Sequence, residues 1–204
     1  MGDNGAMPVV LSPPELRTDN GVYPPTKQWT REECEALEKA GLVGVRDYEL
    51  IEGKLIQKMG KKLPHTRALS RLIQWLVVHM GSSAVAEPGI DVAPEDNPTS
   101  NPEPDAVVLR RAVEDIVDAI RPRDIRMVAE VSDTTLAFDL GVKAALYARA
   151  GIPEYWVLDV NGRRLIVHLQ PVEGVYQSIA AFAEEETVQT PLTGDATILV
   201  RDLL

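Results

Sequence analysis

The chain has 204 residues, 45% of them hydrophobic, and a formal net charge of −10. That length and apolar content suit one compact domain with a sizeable core, and no apolar run approaches the roughly 18 residues of a membrane-spanning helix. The excess of acid argues against a simple nucleic-acid binder, which works through a broad basic face.

Residues 1 to 28 hold five prolines with scattered Gly, Asp and Asn, which predicts an extended or partly disordered arm ahead of a domain over 29–204. The start, Met1 to Asn20, has Pro, Asp and Glu where a signal peptide would have a basic flank and an apolar stretch, so a cytoplasmic protein is expected. Thr30-Arg-Glu-Glu33 reads as a capping box and Gly41 as a stop, giving a first helix. Cys34 lies on it, with no second cysteine to pair with, and reads as a packing residue. Tyr48-Glu-Leu-Ile51 and Lys54-Leu-Ile-Gln-Lys58 flank Glu52-Gly53 as a hairpin. Pro64 opens a helix through His79, apolar at Leu69, Leu72, Ile73, Leu76 and Val77, and closed by Gly81.

From Ala84 to Asp105 short strands are interrupted by a Pro- and Asn-rich loop, 94–104, and residues 110–124 read as a polar, partly helical excursion. Ile125 to Val131 is a strand and Asp139 to Ala150 a helix ended by Gly151-Ile-Pro153. Glu154 to Val160 and Arg164 to Leu169 are strands joined across Asn161-Gly162, a strong hairpin signal, with further strands near Val175–Ala180, Thr187–Gln189 and Thr197–Val200. There is no internal repeat.

Two acids stand out. Asp105 opens the apolar run through Leu109 and Glu130 closes the one from Ile125, so both are expected at strand ends where a buried sheet meets solvent. Lys143 lies on the helix that follows. Two carboxylates and a lysine on successive elements suit a magnesium-dependent phosphodiesterase, because Mg²⁺ keeps several waters and needs only one or two protein carboxylates plus a substrate phosphate. The same residues also fit a plainer account, in which Asp139 and Lys143 form an i,i+4 surface pair. Charge is uneven: from Gly53 to Ala86 there is no acid, yet there are Lys54, Lys58, Lys61, Lys62, Arg67 and Arg71 with His65 and His79. Such a strip either admits a polyanion or is only a solvated helix face.

Taken together, Tyr48-Glu-Leu-Ile-Glu-Gly53, His65, Pro102-Glu-Pro-Asp-Ala-Val-Val108, Val128-Ala-Glu-Val-Ser-Asp133, Asp139-Leu-Gly-Val-Lys143, Tyr147 through Asp159 and Pro171-Val-Glu-Gly-Val-Tyr176 resemble the Uma-type restriction endonuclease family of the PD-(D/E)xK nuclease superfamily, over roughly Thr30 to Leu204. The resemblance implies an α/β fold with a restriction-endonuclease-like core, a central mixed sheet flanked by helices, and extra C-terminal strands. It implies that Asp105, Glu130 and the backbone carbonyl of Val131 hold Mg²⁺ or Mn²⁺, that Lys143 is the lysine of the motif, and that Glu49 is a further catalytic carboxylate. The superfamily usually places its lysine where this chain has Ser132, so the amine comes from the helix instead. Lys61, Lys62, His65 and Arg67 become candidate nucleic-acid contacts, although His65 also fits a partly buried, hydrogen-bonding imidazole. This chain departs from many relatives at Lys54, where they carry an acid, and at Met59-Gly-Lys-Lys62, where they carry a Met-Ser-Pro turn. Tyr155, Trp156 and Asp159 match the family but read as core aromatics and a turn-capping acid.

The implied activity is hydrolysis of phosphodiester bonds in nucleic acid, DNA first. A homodimer is compatible with cutting two strands, and no membrane partner is expected. Two alternatives stay open: a catalytically silent binding or regulatory module on the same fold, and metal-free acid/base hydrolysis by Glu49 and Glu130, which needs carboxyls roughly 5 to 9.5 Å apart.

Overall fold

A computed structural model describes residues 9–10, 26–41, 47–58, 60 and 62–204. The expected arm therefore lies almost wholly outside the described residues; within it Val9–Val10 forms strand β1. Helix α1 (Arg31–Lys39) starts at the expected capping box, in which the Glu33 amide donates to Thr30 Oγ1 and the Thr30 amide to the Glu33 carboxylate. The hairpin follows as β2 (Tyr48–Ile51) and β3 (Lys54–Gln57), then helix α2 (Leu63–Met80) with Pro64 in its first turn. Strands β4 (Ala84–Ala86), β5 (Ala106–Leu109) and β6 (Ile125–Ser132) precede a helical stretch over residues 136–149. That stretch is α3 (Leu136–Phe138), a π-helical turn (Asp139–Lys143) and α4 (Ala144–Arg149). Strands β7 (Glu154–Asp159), β8 (Arg164–Val172) and β9 (Val175–Ala183) come next, and β10 (Thr187–Val188) pairs with β11 (Ile198–Leu199).

Six of these strands make a mixed central sheet in the order β9-β8-β7-β6-β5-β4, and β1 adds to the outer edge of β9. Only β6 and β7 run parallel. A parallel pair cannot be closed by a tight turn, so the chain crosses over between them, and residues 136–149 are that crossover.

The two faces of the sheet carry separate cores because strand side chains alternate. Ala106, Val108, Met127, Ala129, Val131, Trp156 and Leu158 pack on α2 through Ala68, Leu72 and Leu76, with Val188 and Ile198 of the C-terminal strands and Leu203 beyond them on the same side. Val107, Val128, Tyr155 and Val157 pack on Ala144, Tyr147 and Ala148 of α4. Tyr155 and Trp156 are fully buried, while Asp159 accepts from the Gly162 amide and the Arg164 guanidinium and so caps the β7–β8 turn. The core and turn roles expected for these three residues hold. Cys34 is buried, as a packing residue should be.

Leu72 is the central side chain by which α2 grips the sheet. Leu72→Ala is expected to cost about 2–5 kcal/mol of stability through lost burial and an unfilled cavity, read as a lower urea midpoint at unchanged m-value.

Candidate active site

Strand register brings the two acids together. In the antiparallel β5–β6 pair, Val107 faces Val128 and Ala106 faces Ala129, so the next step along the ladder sets Asp105 beside Glu130. Alternation puts both on the sheet face covered by residues 136–149. Asp105 stands immediately before β5, at the strand end as expected, whereas Glu130 lies inside β6, and both are buried where the solvent boundary was expected. β6 runs on through Val131 and Ser132 because its parallel ladder with β7 continues to Ser132 opposite Asp159. Glu130 is consequently 5% exposed and Asp105 8%.

The crossover helix supplies the partners. Its π turn spans Asp139–Lys143, and π turns, one residue wider than α turns, recur at functional sites. Asp139, Lys143 and Tyr147, four residues apart along the helix, are all buried. The surface-pair account of Asp139 and Lys143 is thereby overturned, since the face they share packs on the sheet. Lys143 Nζ lies 2.9 Å from Glu130 Oε1 and 3.0 Å from Glu49 Oε1. Tyr147 Oη donates to the same Glu130 Oε1 at 2.8 Å, and Thr135 Oγ1 donates to Asp139 Oδ2 at 2.6 Å.

The hairpin forms the third wall. Glu49 projects from β2, and its Oε1 also accepts from the backbone amide of Glu103 at 2.8 Å. Asp105 Oδ2 accepts from the Val131 amide at 2.8 Å, and His65 Nε2, in the first turn of α2, stands 3.5 Å from that oxygen. Nδ1 of His65 is buried with no hydrogen-bond partner among the described residues. These groups line a cleft of about 200 Å³ together with Lys58, Lys62 and Glu87. Against a water's share of about 30 Å³, that is room for several waters.

Glu49, Asp105, Glu130, Val131 and Lys143 thus meet in one place, and Lys62 and His65 join them. Arg67 does not: it is exposed and lines no part of the cleft. Lys61 lies outside the described residues. Tyr147, Thr135 and the Glu103 amide contribute to the site without having been singled out for it. The spacing Asp139, Lys143, Tyr147 is a legible helical stripe that could have revealed the tyrosine, but a backbone amide carries no sequence signal.

Four carboxylates surround one ammonium. Burial pushes the Glu130 carboxyl well above its ordinary value; Lys143 pulls it back, while Asp139, Asp105 and Glu49 add to the rise. Asp139 is raised for the same first reason, with Lys143 and Thr135 opposing. Burial alone would lower the Lys143 ammonium, but Glu130, Glu49 and Asp139 outweigh it and hold it charged. The surplus of negative charge makes the site receptive to a cation. Among the described residues no three His, Cys, Asp or Glu side chains form a metal cage. Asp105 and Glu130, adjacent across the β5–β6 ladder, offer two hard oxygen donors beside an open cleft, and two such donors are enough for Mg²⁺ or Mn²⁺, which fill their remaining positions with water and phosphate. The residues fit such an ion.

Glu130 keeps its proton to higher pH in the folded chain than in the unfolded one. The native state binds more protons in that window, so its stability falls as pH rises above the ordinary glutamate value. Glu130→Gln is expected to remove this contribution, so that its stability relative to wild type increases as pH rises above the ordinary glutamate value in urea melts.

Comparison with known proteins gives the family and the fold. The Uma2 family, described as "Putative restriction endonuclease", matches residues 32–200. Among solved structures, one described as a putative nuclease belonging to DUF820 from Anabaena variabilis superposes with a TM-score of 0.60 at 17% identity, covering 81% of this chain and 94% of that one. At that identity the likeness establishes a shared fold. No curated protein matches the chain. With the family match running from the first helix to the last strands, the chain belongs to the Uma2 family of putative restriction endonucleases.

Proposed function

We propose that the protein is a metal-dependent nuclease that hydrolyses phosphodiester bonds in DNA. The observation that carries this is the buried Lys143 ammonium held between Glu49 and Glu130 in a cleft that Asp105 also lines.

Asp105 and Glu130, with the backbone carbonyl of Val131, would hold the divalent cation. When bound, it polarises the phosphoryl oxygen, acidifies a coordinated water and stabilises the leaving alkoxide. The chain's own groups do the rest. Lys143 faces the attacking water and offsets charge that builds on the phosphoryl group. Glu49 orients that water and can accept its proton. Tyr147 and Lys143 bond the same oxygen of Glu130, which fixes the carboxylate and leaves Oε2 without a protein hydrogen bond among the described residues. The Val131 amide likewise fixes the Asp105 carboxylate, through Oδ2. His65 and Lys62, on the α2 side of the cleft, are placed to meet a non-bridging phosphate oxygen. Metal-free acid/base hydrolysis by Glu49 and Glu130 is disfavoured because Lys143 fills the space between them.

The second reading is a catalytically silent binding module on the same fold. What favours it is that the cleft lysines are engaged: Lys58 with Glu103 at 2.7 Å, Lys143 with its two glutamates and Lys62 near Asp133.

Two measurements decide. Calorimetric titration of Mn²⁺ should show binding to wild type and none to Asp105→Ala. On plasmid and single-stranded DNA, Lys143→Ala should lose roughly 10²–10³ of the Mn²⁺-dependent cleavage rate, the usual effect of removing one group that stabilises transition-state charge. Wild-type chain that binds no metal and cuts neither substrate is the silent module.

A further inference from the structure

Helix α2 turns a face without acids to solvent. Its 18 residues include no Asp or Glu, and Arg67, Arg71 and Gln74 are all exposed on it. At about 100° per residue these three fall within roughly 60° of arc, on the side away from Ala68, Leu72 and Leu76, which pack on the sheet. A helix face that is only solvated commonly carries both signs, as α1 does with Glu35 and Lys39 at 3.5 Å, four residues apart. The outer face of α2 has basic and neutral groups alone.

Neither arginine is engaged. Among the described residues Arg67 and Arg71 make no ion pair or hydrogen bond, whereas every other described arginine except Arg123 bonds a carboxylate or a carbonyl. The chain has 31 acids against 21 Lys and Arg, so a shortage of carboxylate does not explain it. Two lysines of the cleft are by contrast taken up, Lys58 by Glu103 and Lys143 by Glu49 and Glu130. A nucleic acid with one diester in the cleft needs its other phosphates met elsewhere, because Lys and Arg on phosphate supply most of the affinity for such a polymer. The path is short. Lys62, on the cleft wall, directly precedes α2, and Arg67 and Arg71 follow it by about 7.5 and about 13.5 Å along the helix axis at 1.5 Å per residue.

We propose that the outer face of α2, through Arg67 and Arg71 with Gln74 beside them, binds the phosphate backbone of nucleic acid outside the cleft and so anchors the strand whose scissile diester lies in it. The anchoring rests on the nuclease reading given above, while the backbone contact itself needs neither metal nor cleavage. Guanidinium forks match phosphate oxygens, and contacts of this kind fix position without reading bases. The grip is therefore independent of sequence and weakens with salt.

The test uses the full chain in EDTA, with a fluorescent 20-nucleotide single strand and its duplex in two unrelated sequences, read by anisotropy between 50 and 200 mM salt. For the form that wild type binds more tightly, Arg67→Ala with Arg71→Ala should weaken binding at least about tenfold at 50 mM salt, equally for both sequences. The log–log salt slope should fall by about one for each arginine removed, about two in all. Arg67→Lys with Arg71→Lys keeps both charges and should keep the slope. Unchanged affinity and slope in the alanine variant, or wild type that holds neither nucleic acid at 50 mM salt, overturns the proposal. So does a wild-type dimer in sedimentation that the alanine variant abolishes without loss of nucleic-acid binding, since the face is then an interface between copies of the chain. Hydrolysis of bis(p-nitrophenyl) phosphate with Mn²⁺ reports the cleft alone. It should be equal in wild type and the alanine variant, while KM for the 20-nucleotide strand rises in the variant. If that diester survives in both and backbone binding is still lost with the arginines, the nuclease mechanism fails and the backbone-binding face stands.

Discussion

A buried ammonium is the constraint on which the site depends. Taking an ion out of water costs several kcal/mol, and Lys143 is offset only if carboxylates meet it with good geometry. Two do, and they come from different parts of the chain: Glu49 from the hairpin and Glu130 from the central sheet. The crossover helix that carries Lys143 is therefore tied to both, and its π turn sits where the ammonium must reach inward. Removing either glutamate leaves charge stranded, so the three elements hold one another in register.

The hairpin is held in place by more than Glu49. The Glu52 amide donates to Ser100 Oγ, the Gly53 amide to the Thr99 carbonyl and the Asn101 amide to the Leu50 carbonyl, so the loop 94–104 runs alongside it. Arg149, beyond Lys143 on the same helical stretch, bonds both Asp96 and Glu52. Arg31, at the start of α1, reaches the Ser100 and Ile90 carbonyls and Asp91. The loop that delivers Asp105 is thus fixed between two arginines, and its polar groups are spent on holding the hairpin over the cleft.

Electrostatics divides the molecule. The six bases between Gly53 and Ala86 look like one strip in sequence, but those on or beside helix α2 that the structure describes face different ways. Lys62 and His65 face the cleft, while Arg67 and Arg71 face solvent on the other side of α2. The charge that remains at the site is acidic, which suits a cation far better than it suits an extended polyanion.

The sequence by itself determined most of the elements and picked out the groups that the structure gathers in one cleft. The capping box at Thr30, the turn at Glu52-Gly53, Pro64 and Asn161-Gly162 act locally, so helix α1, the hairpin, helix α2 and the β7–β8 pair were legible from a few neighbouring residues. Motif order picked out Glu49, Asp105, Glu130 and Lys143. Only the tertiary structure decided how those groups are used. Whether Asp139 and Lys143 form a surface pair or line a site depends on which face of their helix meets the sheet. Whether Glu130 is solvated depends on how far the β6–β7 ladder runs. The burial of His65, the bond from Tyr147 and the Glu103 amide all arise from contacts between distant segments, and no local pattern encodes them. Local propensity needs only nearby residues, whereas burial and charge pairing are properties of the packed whole.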